Sequence, residues 1–175
     1  MCANNRIIRA PAVFKPPVVR KKEQGEAAFH AYDWYFEQIK DFLISVDKVF
    51  LTPCAATKPI CSSSMHRSIY QKYIAVKGID REIFVVSEPV VLIYYEDLYD
   101  LEKHFLYDFP PCFLSTETRA IFISRLMDTL SGKDIEGCLP KHHAGLIDDA
   151  VGKNNWKNYW QGDMLDMMKR ANQLR

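Results

Sequence analysis

Two short runs rich in β-branched and aromatic residues, Val49-Phe50-Leu51 and Ile83-Phe84-Val85-Val86, are separated by one turn and one amphipathic, helix-length segment. A hairpin cannot span that gap. The runs are therefore expected to pair as parallel strands with the helix as a right-handed crossover. The crossover helix is predicted from Met65 to Val76, stopped by Gly78, and the second strand from Glu82 to Val86. Upstream, Phe29, Phe36, Ile39, Phe42 and Leu43 recur at helical spacing between Glu23 and Val46, predicting one helix whose aromatic face packs on the sheet.

Downstream, Tyr94 to Leu106 carries apolar residues every three to four positions among solvated carboxylates and reads as a helix leading into Tyr107. Thr116 to Leu130 reads as another, capped by Ser115 or Thr116 and stopped by Ser131-Gly132. A last short strand is expected at Gly137-Cys138-Leu139-Pro140, a helix near Gly145 to Val151, and a terminal helix from Asn155 to Leu174 with a Trp- and Met-rich stripe. The fold class that follows is α/β in three layers: a small, mostly parallel sheet, flanking helices and a helical C-terminal third. Residues 1–22 form a basic arm, with Arg6, Arg9, Lys15, Arg20, Lys21 and Lys22 among Pro11, Pro16 and Pro17, and 23–175 one α/β domain.

The chain has 175 residues, 48% hydrophobic and 26% charged, which suits one soluble globular domain. No apolar run approaches the roughly 18 residues of a membrane span, and no signal-peptide core follows Arg6 and Arg9. The cysteines, at 2, 54, 61, 112 and 138, are odd in number and form no Cys-x-x-Cys pair. A reducing, cytoplasmic setting is expected, without a disulfide framework or a cysteine zinc site. A formal net charge of +1 makes no global case for nucleic acid, so any basic patch is local.

The loop after the first run gathers the chemistry: Pro53, Cys54, Lys58, Pro59, Ser63 and His66 place a thiol, an amine, a hydroxyl and an imidazole in one strand-to-helix connection. Loops at the carboxyl ends of strands are where open α/β sheets bind ligands. A serine at 62, 63 or 64 is expected to cap the following helix, whose N-terminus favours thiolate at Cys54 and neutral imidazole at His66. His142-His143 lacks a partner at metal-ligand spacing, so no metal is expected. One of the two would serve proton transfer only if the C-terminal region folds over the loop.

The pattern Pro53-Cys54-x-x-x-Lys58-Pro59-x-x-x-Ser63-x-x-His66 resembles the signature of the archaeosine synthase catalytic domain, a family related to tRNA-guanine transglycosylases. Ser87-Glu88-Pro89 after the second run, and Tyr107-Asp108-Phe109-Pro110 further on, resemble later segments of that family, so the likeness spans about residues 47 to 111. The resemblance implies a fold like uracil-DNA glycosylase and addition of an amine to the nitrile of 7-cyano-7-deazaguanine, giving an amidine. It implies Cys54, Lys58, Ser63 and His66 as catalytic residues, and Pro53, Pro59, Glu88, Pro89, Tyr107 and Asp108 around the base.

The expected partners are a 7-deazaguanine base in tRNA or DNA, or free, and an amine donor such as lysine, glutamine or ammonia. No membrane and no cofactor is expected, and the C-terminal helix is a candidate homodimer or partner surface. Ile60 stands where the family usually has tyrosine, Val90 and Val91 replace a Leu-Gly pair, and Tyr94-Tyr95 stand near a Val-Pro pair. The separate RNA-binding domain of the family has no counterpart in this sequence. The alternative expectation is a non-catalytic module that keeps a base pocket and recruits or binds nucleic acid.

Overall fold

The computed structural model describes residues 7–55, 58–75, 80–109 and 114–160. Its core is a five-stranded sheet built from β1 (Lys48–Pro53), β2 (Glu82–Ser87), β3 (Val91–Tyr94), β4 (Asp134–Gly137) and β5 (Lys157–Asn158), in the order β3-β2-β1-β4-β5. β1 pairs in parallel with β2 on one side and β4 on the other, β5 is parallel to β4, and β3 runs antiparallel to β2 at the edge. β1 is therefore central. From Val49 to Pro53 every residue of it is buried, as a strand covered on both faces requires.

The alternation along β1 divides the core into two layers. Val49 and Leu51 join the large cluster formed with Phe36, Ile39 and Leu43 of α2 (Asp33–Ser45), Phe122, Leu126 and Leu130 of α5 (Thr116–Leu130), and Leu146 and Ile147 of α6 (Lys141–Val151). Phe50 points the other way, packing with Ile69 of α3 (Ser64–Ile69) and with Cys138, under Met65, Tyr159 and Trp160. Helices thus cover both faces, giving the three-layer α/β arrangement expected. Gly137 permits the close pairing of β4 on β1: a Cβ there would stand 2.8 Å from the Leu51 carbonyl oxygen.

Several elements differ from the expectations. The single helix from Glu23 to Val46 is a 3-10 turn at Lys22–Gln24, then α1 (Gly25–His30), then α2. The break at Ala31-Tyr32 fits a buried Tyr32 whose hydroxyl donates to the His104 carbonyl at 2.7 Å. The helix expected over Tyr94–Leu106 is instead the end of β3, a short α4 (Asp97–Asp100) and a 3-10 turn at Glu102–Phe105. Here tertiary pairing overrides helical spacing, because Tyr35 Oη accepts from the Tyr94 amide and donates to Asp97, tying the segment to α2.

The crossover begins as α3 and continues as a π-helix over Tyr70–Ala75; the Gly78 stop lies outside the described residues. The last central strand ends at Gly137, where the sequence placed its start, and α6 begins at Lys141 directly after Pro140. The C-terminal third is not simply helical. Asn155 to Trp160 holds a turn and β5 rather than the start of a helix, and 161–174 lies outside the described residues. The basic arm is anchored to the body: the Val19 amide donates to the Asp108 carbonyl, the Asp108 amide donates to the Pro17 carbonyl, and Phe14 meets the rings of Tyr32 and Trp34.

Candidate active site at the sheet switch point

The chain runs from β1 outward to β2 and β3, then returns to place β4 on the opposite side of β1. The connections leaving β1 and β4 therefore diverge at the carboxyl ends of these two strands, the position where doubly wound sheets bind ligands. Cys54 follows β1 directly, its amide donating to the Val86 carbonyl at 2.9 Å, which extends the β-ladder up to the thiol. His143 lies in the first turn of α6, just after β4. Cys54 Sγ is 3.3 Å from His143 Nε2.

Burial holds the His143 imidazole down at about 4, assisted by the neighbouring His142. The ring is thus neutral near pH 7 and able to accept the thiol proton. Its Nδ1 is buried without a hydrogen-bond partner among the described residues. Burial also pushes the Cys54 thiol up, against the opposing influence of the Lys58 ammonium and the Ser87 hydroxyl. The resting pair is a neutral thiol beside a neutral imidazole, poised for proton transfer when sulfur attacks.

Lys58 turns back over the loop, donating to the Ala55 carbonyl at 2.8 Å with its ammonium 4.1 Å from the centre of the Tyr107 ring. Burial lowers it to about 8, so the amine titrates close to neutrality. Tyr107 is buried, and its hydroxyl meets Ser87 Oγ. Glu88, 6% exposed at the end of β2, binds His142 Nε2 at 2.6 Å. Thiol, ammonium, two imidazoles and a buried carboxylate therefore meet where β1, β2 and α6 converge.

The other residues singled out in the sequence take different places. His66 is 1% exposed, its Nε2 donates to the Pro53 carbonyl at 2.5 Å, and its ring lies nearly parallel to Tyr95. Burial keeps it at about 4. It clamps the loop to β1, and His143 supplies the imidazole beside the thiol. Ser63 occupies the N-cap position of α3 but makes no side-chain cap; its carbonyl accepts from the Arg67 amide at 3.0 Å. Asp108 pairs with Arg20 on the surface. Pro53 and Pro89 are buried, Pro59 is half-buried, and the Lys58-Pro59 and Glu88-Pro89 peptides are cis.

Val91 has φ of 80°, a left-handed conformation that glycine adopts freely and a β-branched residue rarely does. It is fully buried. Sequence reasoning gave one of His142 and His143 a proton-transfer role only if the C-terminal region folds over the loop, and α6 does bring His143 to Cys54; it assigned no role to Ser87. The same strand-to-helix rule that singled out Cys54, applied after β4, marks the two histidines. Among the described residues, no group of three His, Cys, Asp or Glu side chains is arranged to hold a metal ion, and no helix is long and apolar enough to cross a membrane.

No protein-family model and no curated protein matches the chain. Among solved structures, the chain is similar to the crystal structure of AF0587, a protein of unknown function, at 19% identity and a TM-score of 0.47. The alignment covers 77% of this chain and 48% of that one, so this chain spans about half the length of that protein.

Proposed function

We propose that this protein adds an amine to the nitrile of a 7-cyano-7-deazaguanine base, in tRNA, in DNA or free, on a uracil-DNA glycosylase-like scaffold. The observation that carries the reading is the 3.3 Å approach of the Cys54 thiol to a neutral His143 imidazole, with Lys58 on the same loop. As sulfur bonds to the nitrile carbon, the thiol proton passes to His143 and on to the nitrile nitrogen, leaving a thioimidate. A primary amine or ammonia then attacks that carbon and the C–S bond breaks. Sulfur leaves with a proton from the amine, and the product is the amidine.

Lys58 holds the developing imine nitrogen with a hydrogen bond and keeps its own proton. Glu88 offers a buried carboxylate that accepts from the paired N–H groups of a guanine-like edge, exchanging His142 for the base. Val91 supports the family likeness: it keeps a glycine-favoured backbone where the family has glycine. Ile60, in place of the family's tyrosine, is 2% exposed in the main core, the cluster against which Cys54 packs.

Intact mass spectrometry with free 7-cyano-7-deazaguanine tests the reading. An adduct mapped to Cys54, discharged to amidine by lysine, glutamine or ammonia, is expected. Full turnover by Cys54→Ala would refute the covalent route, and absence of both adduct and product would refute the reaction. A second reading, a base-binding module without turnover, draws on the burial that keeps the thiol protonated. Saturable binding of the base with no product selects it.

A further inference from the structure

Beside α3 and β3, two adjoining cavities of about 170 and 240 Å³ share Tyr70, Tyr95 and Tyr99 as walls. Together they form one groove against the outer edge of the sheet. It is distinct from the Cys54 cluster: the Tyr95 amide binds the Ile83 carbonyl near the amino end of β2, whereas the Cys54 amide binds the Val86 carbonyl near the carboxyl end.

The groove has two chemically different ends. Arg67 lines one, donating to the Ser62 carbonyl at 3.0 Å; Glu82 and Glu96 line the other beside Arg81, whose guanidinium is paired with Asp134 and Glu136. Between them the Tyr70 and Tyr95 rings are within 20° of parallel, and Tyr99 stands edge-on to Tyr95. Tyr95 is a fixed wall at 8% exposure, whereas Tyr70 at 44% and Tyr99 at 63% are open to a ligand. Burial raises Tyr95 and Tyr99 above the ordinary phenol value, so both remain neutral donors.

We propose that this groove is a second ligand site that takes one nucleotide, with its phosphate on Arg67, its base against the tyrosines and the N–H edge of the base toward Glu82 and Glu96. The charge pattern selects this ligand class. A simple cation would meet Arg67, and a longer run of phosphates would meet two carboxylates. A nucleotide alone among these joins an anionic end, a planar middle and a donor-bearing edge. The site stands whether or not Cys54 reacts.

Calorimetric titration of the full chain with guanosine 5′-monophosphate, guanosine, uridine 5′-monophosphate and a short single-stranded RNA tests it. Saturable binding of the guanine nucleotide is expected, about tenfold tighter than guanosine because the phosphate meets a charged donor. Arg67→Gln should abolish that difference, Tyr99→Ala should weaken binding about fivefold or more, and Glu96→Gln should reduce the preference for guanine over uracil. These three side chains are exposed, so near-ultraviolet circular dichroism should show unchanged folds. Their loss also leaves Glu88 untouched, which separates this groove from a base held beside Cys54.

RNA binding tighter than the mononucleotide, with the same response to Tyr99→Ala, identifies the occupant as a nucleotide within a strand. Equal or weaker RNA binding identifies a free nucleotide. Absence of saturable nucleotide binding, or Arg67→Gln and Tyr99→Ala titrating like the parent, overturns the proposal.

Discussion

Replacing His66 with glutamine tests whether burial holds its imidazole neutral. His66 is buried and neutral, with its value lowered from 6.5 to about 4. The unfolded chain therefore binds a proton between these values that the folded chain refuses. Stability is fully present above pH 6.5 and is lost as pH falls toward 4. At pH 5 the linkage relation gives a loss of about 2 kcal/mol for this residue. His143, with the same lowered value, contributes a similar loss of about 2 kcal/mol.

Glutamine keeps an amide donor for the Pro53 carbonyl but does not titrate. Between pH 7.5 and 5, urea unfolding of the parent should lose roughly 2 kcal/mol more than that of the variant, a difference of about 1 M in midpoint if m is near 2 kcal/mol/M. Carboxylate contributions are common to both proteins and cancel in that comparison. Parallel losses in the two proteins would show that His66 is not held neutral by burial, and the clamp assignment would fail with it.

Three other outcomes follow from the site and its surroundings. His143→Ala should slow alkylation of Cys54 by iodoacetamide at pH 7, read by site-resolved mass spectrometry, and should lower any turnover by about 100-fold or more. Lys58→Met should move the pH midpoint of that alkylation upward, because the ammonium opposes the rise in the thiol's pKa; an unchanged midpoint would place Lys58 too far from sulfur to matter. At Val91, glycine should be better tolerated than alanine by about 1 kcal/mol in thermal or urea unfolding, the reverse of the usual order within a strand. Alanine loses the buried methyls and keeps the left-handed backbone, whereas glycine relieves it.

Elements with strong local signals were legible. Thr116–Leu130 forms as expected, with Ser115 Oγ accepting from the Thr118 amide at 3.1 Å and Gly132 in the left-handed region after the stop. β1 and β2 emerge from their apolar runs. β3 was hidden because Val91–Tyr94 reads equally well as the approach to a helix; only pairing with Phe84–Ser87 and the Tyr35 hydroxyl selects a strand. The loop was legible as a cluster, and Cys54 and Lys58 do share one environment. Its imidazole was not, since proximity in sequence favoured His66 over a histidine 89 positions away from Cys54.

That separation has a consequence for the order of events as the chain is made. Sulfur and ammonium belong to the portion synthesised first, and the proton acceptor arrives only when β4 has docked beside β1 and α6 has started at Pro140. A nascent chain therefore carries Cys54 without its imidazole neighbour. The same docking shelters the sulfur and gives it a neighbouring base, so an ordinary thiol becomes a buried, paired one only once β4 is in place.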